Sequence, residues 1–282
     1  MKILVIGKNG QLGSEIYNCK QNDPNYLFVE KNDLDVTKYE DIEKFVLRNQ
    51  IELIVNCSAY TQVDKAEDYK IEAFEINETG VVNLVNICEK YSIGLLHYST
   101  DYVFDGKKNA PYNEEDQTNP LNVYGESKRA GEVAIMNSDI CSIIIRTSWL
   151  YSIYGQNFVW KISNLIEEKD RLDVINDQIG CPTNAKDLAK ASISIIEQRL
   201  KWRGREIYHF SNEGECTWFE FAERISHEMG IACEINPVSS DKFNSGCDRP
   251  KYSVLDKSKI KEKFSIEIPH WEIALGHYFK SS

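Results

Sequence analysis

The chain has 282 residues, 42% hydrophobic and 27% charged, which is a globular composition and excludes a disordered or collagen-like protein. Its 33 Lys and Arg stand against 44 Asp and Glu; the net charge of -11 argues against a nucleic-acid or anionic-membrane surface and leaves room for a local anion pocket. The opening apolar run is too short for a signal peptide, and no stretch approaches the ~18 apolar residues of a membrane span, so a cytoplasmic protein is expected.

Short apolar, β-rich runs at residues 2–6, 26–30, 51–56, 93–99 and 141–146 alternate with longer amphipathic patterns. Two such patterns are 39–49, where Ile42, Phe45 and Val46 share a face, and 69–91. This alternation predicts an α/β fold, a doubly wound parallel sheet with every strand's C-terminal end on one ligand-binding edge. Beyond residue 150 the pattern is less regular. Helical stretches at 156–168, 185–199, 217–229 and 269–280 surround short strands near 172–175, 206–210 and 234–236. The expected division is 1–150 as one domain and 151–282 as a small C-terminal α/β lobe packed closely on it. That boundary is approximate, and the chain is free to cross it.

Gly7-Lys8-Asn9-Gly10-Gln11-Leu12-Gly13 follows the first predicted strand and opens the first predicted helix. Glycine permits the tight turn, the close approach of backbone to a pyrophosphate and the close packing of helix on strand, and a helix N-terminus offers free N–H groups to phosphate. The first domain therefore reads as a Rossmann-type dinucleotide-binding unit. Glu30 ends the second predicted strand, where an acid bonds the adenosine ribose and repels a 2′-phosphate. It tilts the cofactor toward NADH without excluding NADPH.

Tyr124 and Lys128 are four residues apart, on one face of a helix. A phenol with a pKa near ~10 exchanges protons poorly at neutral pH, and a nearby ammonium lowers that value. Thr100, at the end of the fourth predicted strand, could hold the same carbonyl oxygen through its hydroxyl. The eight cysteines form no C-x-x-C pair and the five histidines no metal-type spacing, so free thiols and no metal site are expected.

With these residues the chain resembles the extended short-chain dehydrogenase/reductase superfamily and, within it, the dTDP-4-dehydrorhamnose reductase family. The glycine loop and the Tyr/Lys pair carry the broader likeness. The closer one rests on longer strings: Asn56-Cys57-Ser58-Ala59-Tyr60-Thr61-Gln62-Val63-Asp64, Tyr98-Ser99-Thr100-Asp101-Tyr102-Val103-Phe104, Arg146-Thr147-Ser148-Trp149, Gly180-Cys181-Pro182-Thr183 and Arg249-Pro250. The resemblance implies NAD(P)H-dependent reduction of the C4 ketone of dTDP-4-dehydro-L-rhamnose, for surface polysaccharide synthesis, with the sugar nucleotide between the lobes. By position, it places Gly7, Gly10, Gln11, Leu12, Gly13, Glu30, Asp35, Val36, Ala59, Tyr60, Thr61 and Tyr98 around the cofactor. Tyr124 becomes the proton donor, and Lys128 tunes it and binds the nicotinamide ribose. Thr100, Asp101 and Trp149 meet the sugar, and Arg249 suits a diphosphate.

The resemblance also exposes a departure. Some bacterial members are described as dimers joined through a metal held by acidic residues, one of them shortly after the Pro-Thr step. Here Lys186 stands in that stretch, and a cation cannot ligate Mg²⁺, so a monomer or a metal-independent homodimer is expected. A related dehydratase is disfavoured because Tyr102, not an acid, follows Thr100-Asp101. The intact Thr100, Tyr124 and Lys128 set argues against a non-catalytic nucleotide-binding subunit and leaves another nucleotide-sugar reductase or epimerase as the nearest rival.

Overall fold

Four consecutive apolar residues, Ile3–Ile6, form the first strand (β1) and are buried throughout, as a strand covered on both faces must be. The computed structural model describes residues 1–243 and 246–281. β2 (Tyr26–Val29), β3 (Leu53–Asn56), β4 (Gly94–Thr100) and β5 (Ser142–Thr147) lie parallel to β1. The sheet order runs from the strand Arg205–His209 through β5, β4, β3 and β1 to β2. The winding direction reverses between β1 and β3, and the crevice outside their carboxyl ends is where an open α/β sheet takes its ligand.

Each face of the sheet has its own core. On one, Val5, Val55, Leu96 and Ile145 pack with Leu12 and Ile16 of helix α1 (Gln11–Lys20) and with Leu188 and Ile195 of the helix Ala185–Glu197. On the other, Leu4, Ile54 and Ile144 meet Ile42 and Val46, Leu84 and Ile87, and Ile135. The sixth strand and the Ala185–Glu197 helix come from beyond residue 150. The lobes therefore interleave in sequence, and the chain returns to finish the first sheet before closing the second lobe.

The second lobe has little sheet. Leu150–Tyr151 pairs with Thr183–Asn184, Ile179–Gly180 with Cys216–Thr217, and Arg171–Ile175 with Glu234–Val238. Its core is Tyr151, Val159, Ile162, Phe221, Ile225, Trp271 and Leu275, contributed largely by the helices Phe158–Glu168, Trp218–Met229 and Trp271–Ser281.

The helix expected over 69–91 runs unbroken from Lys70 to Tyr91 but carries a π-helical turn at Glu75–Thr79, between the α-helical stretches Lys70–Phe74 and Gly80–Tyr91. The wider turn brings Asn77 inward. Its Oδ1 accepts from the Tyr60 backbone N–H at 2.9 Å, while Nδ2 donates to the Tyr60 carbonyl at 3.0 Å and to Ser127 Oγ at 2.9 Å. Side-chain periodicity alone could not reveal this insertion, because both flanks are ordinary α-helix. No helix among the described residues is long and apolar enough to cross a membrane.

Candidate active site

The glycine loop is fitted to backbone. Gly7 has φ +86°, and a Cβ there would stand 2.9 Å from the Cys57 carbonyl carbon and the Ser58 nitrogen. At Gly13 a Cβ would lie 2.1 Å from the Gly7 carbonyl oxygen. Gly10 caps α1 from an extended conformation; no side chain takes the first N–H groups, and the first turn holds no acid. Open donors at the positive end of a helix dipole, beside a cradle that any Cβ would fill, suit a dinucleotide pyrophosphate.

Two cavities meet at this loop, sharing Asn9, Gly10, Cys57 and Ala59. The smaller, about 240 Å³, is lined by Glu30, Asp35 and Val36, the predicted adenosine-side residues. Glu30 accepts a hydrogen bond from the Asn9 amide, and Asp35 accepts from the Thr37 N–H and hydroxyl at 3.0 and 2.8 Å. The larger, about 510 Å³, brings together Gln11, Leu12, Thr61, Tyr98, Thr100, Asp101, Tyr124, Lys128 and Trp149. Gly13 and Tyr60 stand behind these walls: Gly13 as a packing glycine, Tyr60 with its backbone clamped by Asn77.

Tyr124 and Lys128 both sit on the helix Val123–Met136. Asn122 caps it, accepting from Gly125 N–H at 2.8 Å and donating to the Asp248 carbonyl at 2.8 Å. Gly125 lets this helix approach the end of β4, since a Cβ there would be 2.3 Å from the Tyr102 carbonyl oxygen. Thr100 Oγ1 accepts from Tyr102 N–H at 3.2 Å, donates to Asp101 Oδ1 at 3.1 Å, and faces the Tyr124 phenol.

One expectation is corrected here. Lys128 does not draw the Tyr124 phenol down: burial pushes the phenol up to about 12, the Thr100 hydroxyl pulling the other way and the Asp101 charge adding to the rise. Lys128 is itself enclosed, its Nζ donating to the Tyr98 carbonyl at 2.7 Å, and burial pulls it down to about 8 with Glu132 opposing. Desolvation penalises both charged forms more than either helps the other. Asp101 is 1% exposed and its Oδ2 has no hydrogen bond. Burial pushes its carboxyl up to about 6, against weaker pulls from the Ser253 and Thr100 hydroxyls.

The wall facing the glycine loop is aromatic. Trp149 has φ +44°, in the left-handed region, and its carbonyl accepts from Thr183 N–H at 3.2 Å. Its indole stacks on Trp218 with centroids 3.4 Å apart and planes 7° from parallel. Trp218 in turn donates from Nε1 to Gln178 Oε1 at 3.2 Å. Gly180 must lack a side chain, because a Cβ would come within 2.6 Å of the Trp149 ring. Asn157, which caps the helix Phe158–Glu168, donates to Gln11 Oε1 at 3.1 Å and so ties this wall to the glycine loop.

Sequence reasoning assigned no role to Asn77, Trp218, Gln178, Gly180 or Asn157. Asn157 carries a local signal, a capping residue before an amphipathic run, and Gly180 lies in one of the strings that carry the family likeness. Arg249 was expected beside a diphosphate, yet it does not line the cavity: one guanidinium nitrogen donates to both Asp64 carboxylate oxygens, at 2.7 and 2.8 Å. Opposite charge within reach captured it first. Lys186 lies apart, in a separate cavity of about 430 Å³ with Glu15, Lys190 and Lys280. Among the described residues no group of three or more His, Cys, Asp or Glu is arranged to hold a metal ion.

The profile of the RmlD substrate binding domain matches residues 1–282. A dTDP-4-dehydrorhamnose reductase from Sinorhizobium fredii is 37% identical over 279 residues, covering 96% of this chain and 94% of the relative. The spore coat polysaccharide biosynthesis protein SpsK of Bacillus subtilis is 38% identical over 280 residues, covering 99% and 97%. The crystal structure of a dTDP-4-dehydrorhamnose reductase from Bacillus anthracis in complex with NADP superposes with a TM-score of 0.94 at 34% identity, covering all of both chains. With the whole chain matched in sequence and in fold, the protein belongs to the RmlD substrate-binding-domain family.

Proposed function

We propose that this chain is an NAD(P)H-dependent oxidoreductase that reduces the C4 ketone of dTDP-4-dehydro-L-rhamnose to the alcohol, a step toward surface polysaccharide. The observation that carries the reading is the shared cleft: a phosphate-ready glycine cradle opens directly onto Thr100, Tyr124 and Lys128. The bound cofactor supplies the hydride. Tyr124 O–H donates to the ketone oxygen as negative charge develops there, and the Thr100 hydroxyl beside it steadies the same oxygen by rotating its one proton away from Asp101 Oδ1. A phenol near 12 is protonated at neutral pH, as an acid must be. The oxygen it serves becomes about as basic as hydroxide, whose conjugate acid has a pKa near ~15.7, so the transfer runs downhill.

Glu30 beside the ribose favours NADH, and Lys31 on the same cavity keeps the preference small by offering a cation to a 2′-phosphate. Trp149 forms the sugar face of the cleft. Assembly needs no metal, since Lys186 cannot ligate one; sedimentation unchanged by EDTA is expected, and dissociation would count against this. The functional test is purified protein with dTDP-4-dehydro-L-rhamnose and each cofactor, followed at the reduced-nicotinamide absorbance. Substrate-dependent oxidation is expected, and silence with both cofactors would reject the reading.

A further inference from the structure

β4 carries a histidine that the proposed reaction does not use. His97 is fully buried between Asn56 of β3 and Lys128 of the catalytic helix. Ser58 fixes the Asn56 amide, its backbone N–H and hydroxyl both donating to Oδ1, at 3.1 and 2.5 Å. Asn56 Nδ2 therefore faces His97 Nδ1 at 3.1 Å, and Nδ1 must accept. A neutral imidazole with Nδ1 as acceptor carries its proton on Nε2. That N–H points at Lys128 Nζ across 3.5 Å, while Nζ donates to the Tyr98 carbonyl. An ammonium would confront His97 as donor against donor. An uncharged amine offers its lone pair to Nε2–H and keeps an N–H for Tyr98.

From these contacts we infer that Asn56 and His97 are positioning residues for Lys128, favouring its uncharged amine. The other charged group bearing on Lys128 is Glu132, one turn along the helix, and both its oxygens are taken by Arg146 of β5 at 2.8 and 2.7 Å. Tyr124 lies one turn the other way and is held as the neutral phenol. His97 itself stays neutral, pulled well below its ordinary value by burial and then by Lys128. The bearing on turnover rests on the reductase reading, whereas the lysine's protonation does not.

The test is the titration of the Lys128 side chain in the unliganded full-length protein, by NMR of ¹³Cε-labelled lysine, with Lys128→Met assigning the resonance. The wild-type midpoint is expected near 8. His97→Asn keeps an acceptor for Asn56 and removes the Nε2–H, so the midpoint should rise by about 0.5–1 pH unit, the worth of one exchanged hydrogen bond. His97→Gln keeps an amide N–H near that position and should restore the wild-type value. Asn56→Asp demands a proton on Nδ1, turns Nε2 into an acceptor, and should also raise the midpoint. Should His97→Asn fail to fold, Asn56→Asp decides alone. An unmoved or falling midpoint in the variant that folds would overturn the inference. A raised midpoint would uphold it whether or not the pH profile of kcat/KM moves with it.

Discussion

The glycine wall of the cleft is made of backbone, and the wall facing it is made of side chains. Gly7, Gly10 and Gly13 sit within seven consecutive residues and work by what they lack, with clearances as small as 2.1 Å to a carbonyl. Trp149, the Gln178 and Gly180 pair, and Trp218 come from three separate segments and work by stacking and one hydrogen bond. On the proposed reading, the first wall takes what every dinucleotide shares, a pyrophosphate. On the same reading, the second takes the variable part, and side chains can be exchanged there without rebuilding the sheet. Lys128 and Tyr124 lie between the walls, on a helix anchored to both β4 and the π-turn by the close approaches at Gly125 and Gly131.

The backbone wall should break outright. Gly13→Ala drives a methyl into the Gly7 carbonyl, and we expect a loss of about 3 kcal/mol or more with cofactor binding abolished, read by chemical denaturation and cofactor fluorescence. Near-native stability with cofactor bound would mean that the loop can shift.

On the floor, Lys128 folds at a cost. Its value falls from 10.5 to about 8, so between these limits the unfolded chain binds more protons and stability contributed at this site rises with pH. Lys128→Met should therefore raise Tm at pH 7, and the gain should shrink as pH climbs toward 10.5. A pH-independent difference between the two melting curves would contradict the buried-ammonium account.

The side-chain wall should bend rather than break. Trp218→Ala removes the support under Trp149, and KM for the sugar nucleotide should rise roughly three- to tenfold, the scale of one aromatic pair, with cofactor affinity unchanged. Trp218→Phe should recover most of it, and an equal loss of cofactor binding would show that the walls are not separable. Smallest is the adenosine edge, where Glu30→Ala should narrow any NADH-over-NADPH gap in kcat/KM. A clear NADPH preference in the wild type would remove Glu30 from that role.

The same contrast explains what could be read in advance. The strands of the first sheet were legible because buried parallel strands are short apolar runs, and the residues of the glycine loop because their spacing is local. The i, i+4 spacing of Tyr124 and Lys128 is common by chance, and the pair was legible only beside the glycine loop and the strand ending at Thr100. The Trp149–Trp218 stack was not, since its partners are 69 residues apart and nothing local marks them. Nor was Asn77, hidden by a single-residue widening of a helix, or the capture of Arg249 by Asp64, which is 185 residues away. The raised phenol at Tyr124 escaped for another reason: charge partners can be guessed from spacing, but desolvation depends on how completely the fold closes over a group.

On the proposed mechanism the Tyr124 hydroxyl delivers the proton while other groups hold the cofactor. Measuring cofactor affinity and turnover side by side in Tyr124→Phe tests it directly. Wild-type affinity is expected, with turnover reduced roughly 10²–10⁴-fold. Turnover within about threefold of wild type, far short of what a lost general acid removes, would contradict it and assign the proton to another group.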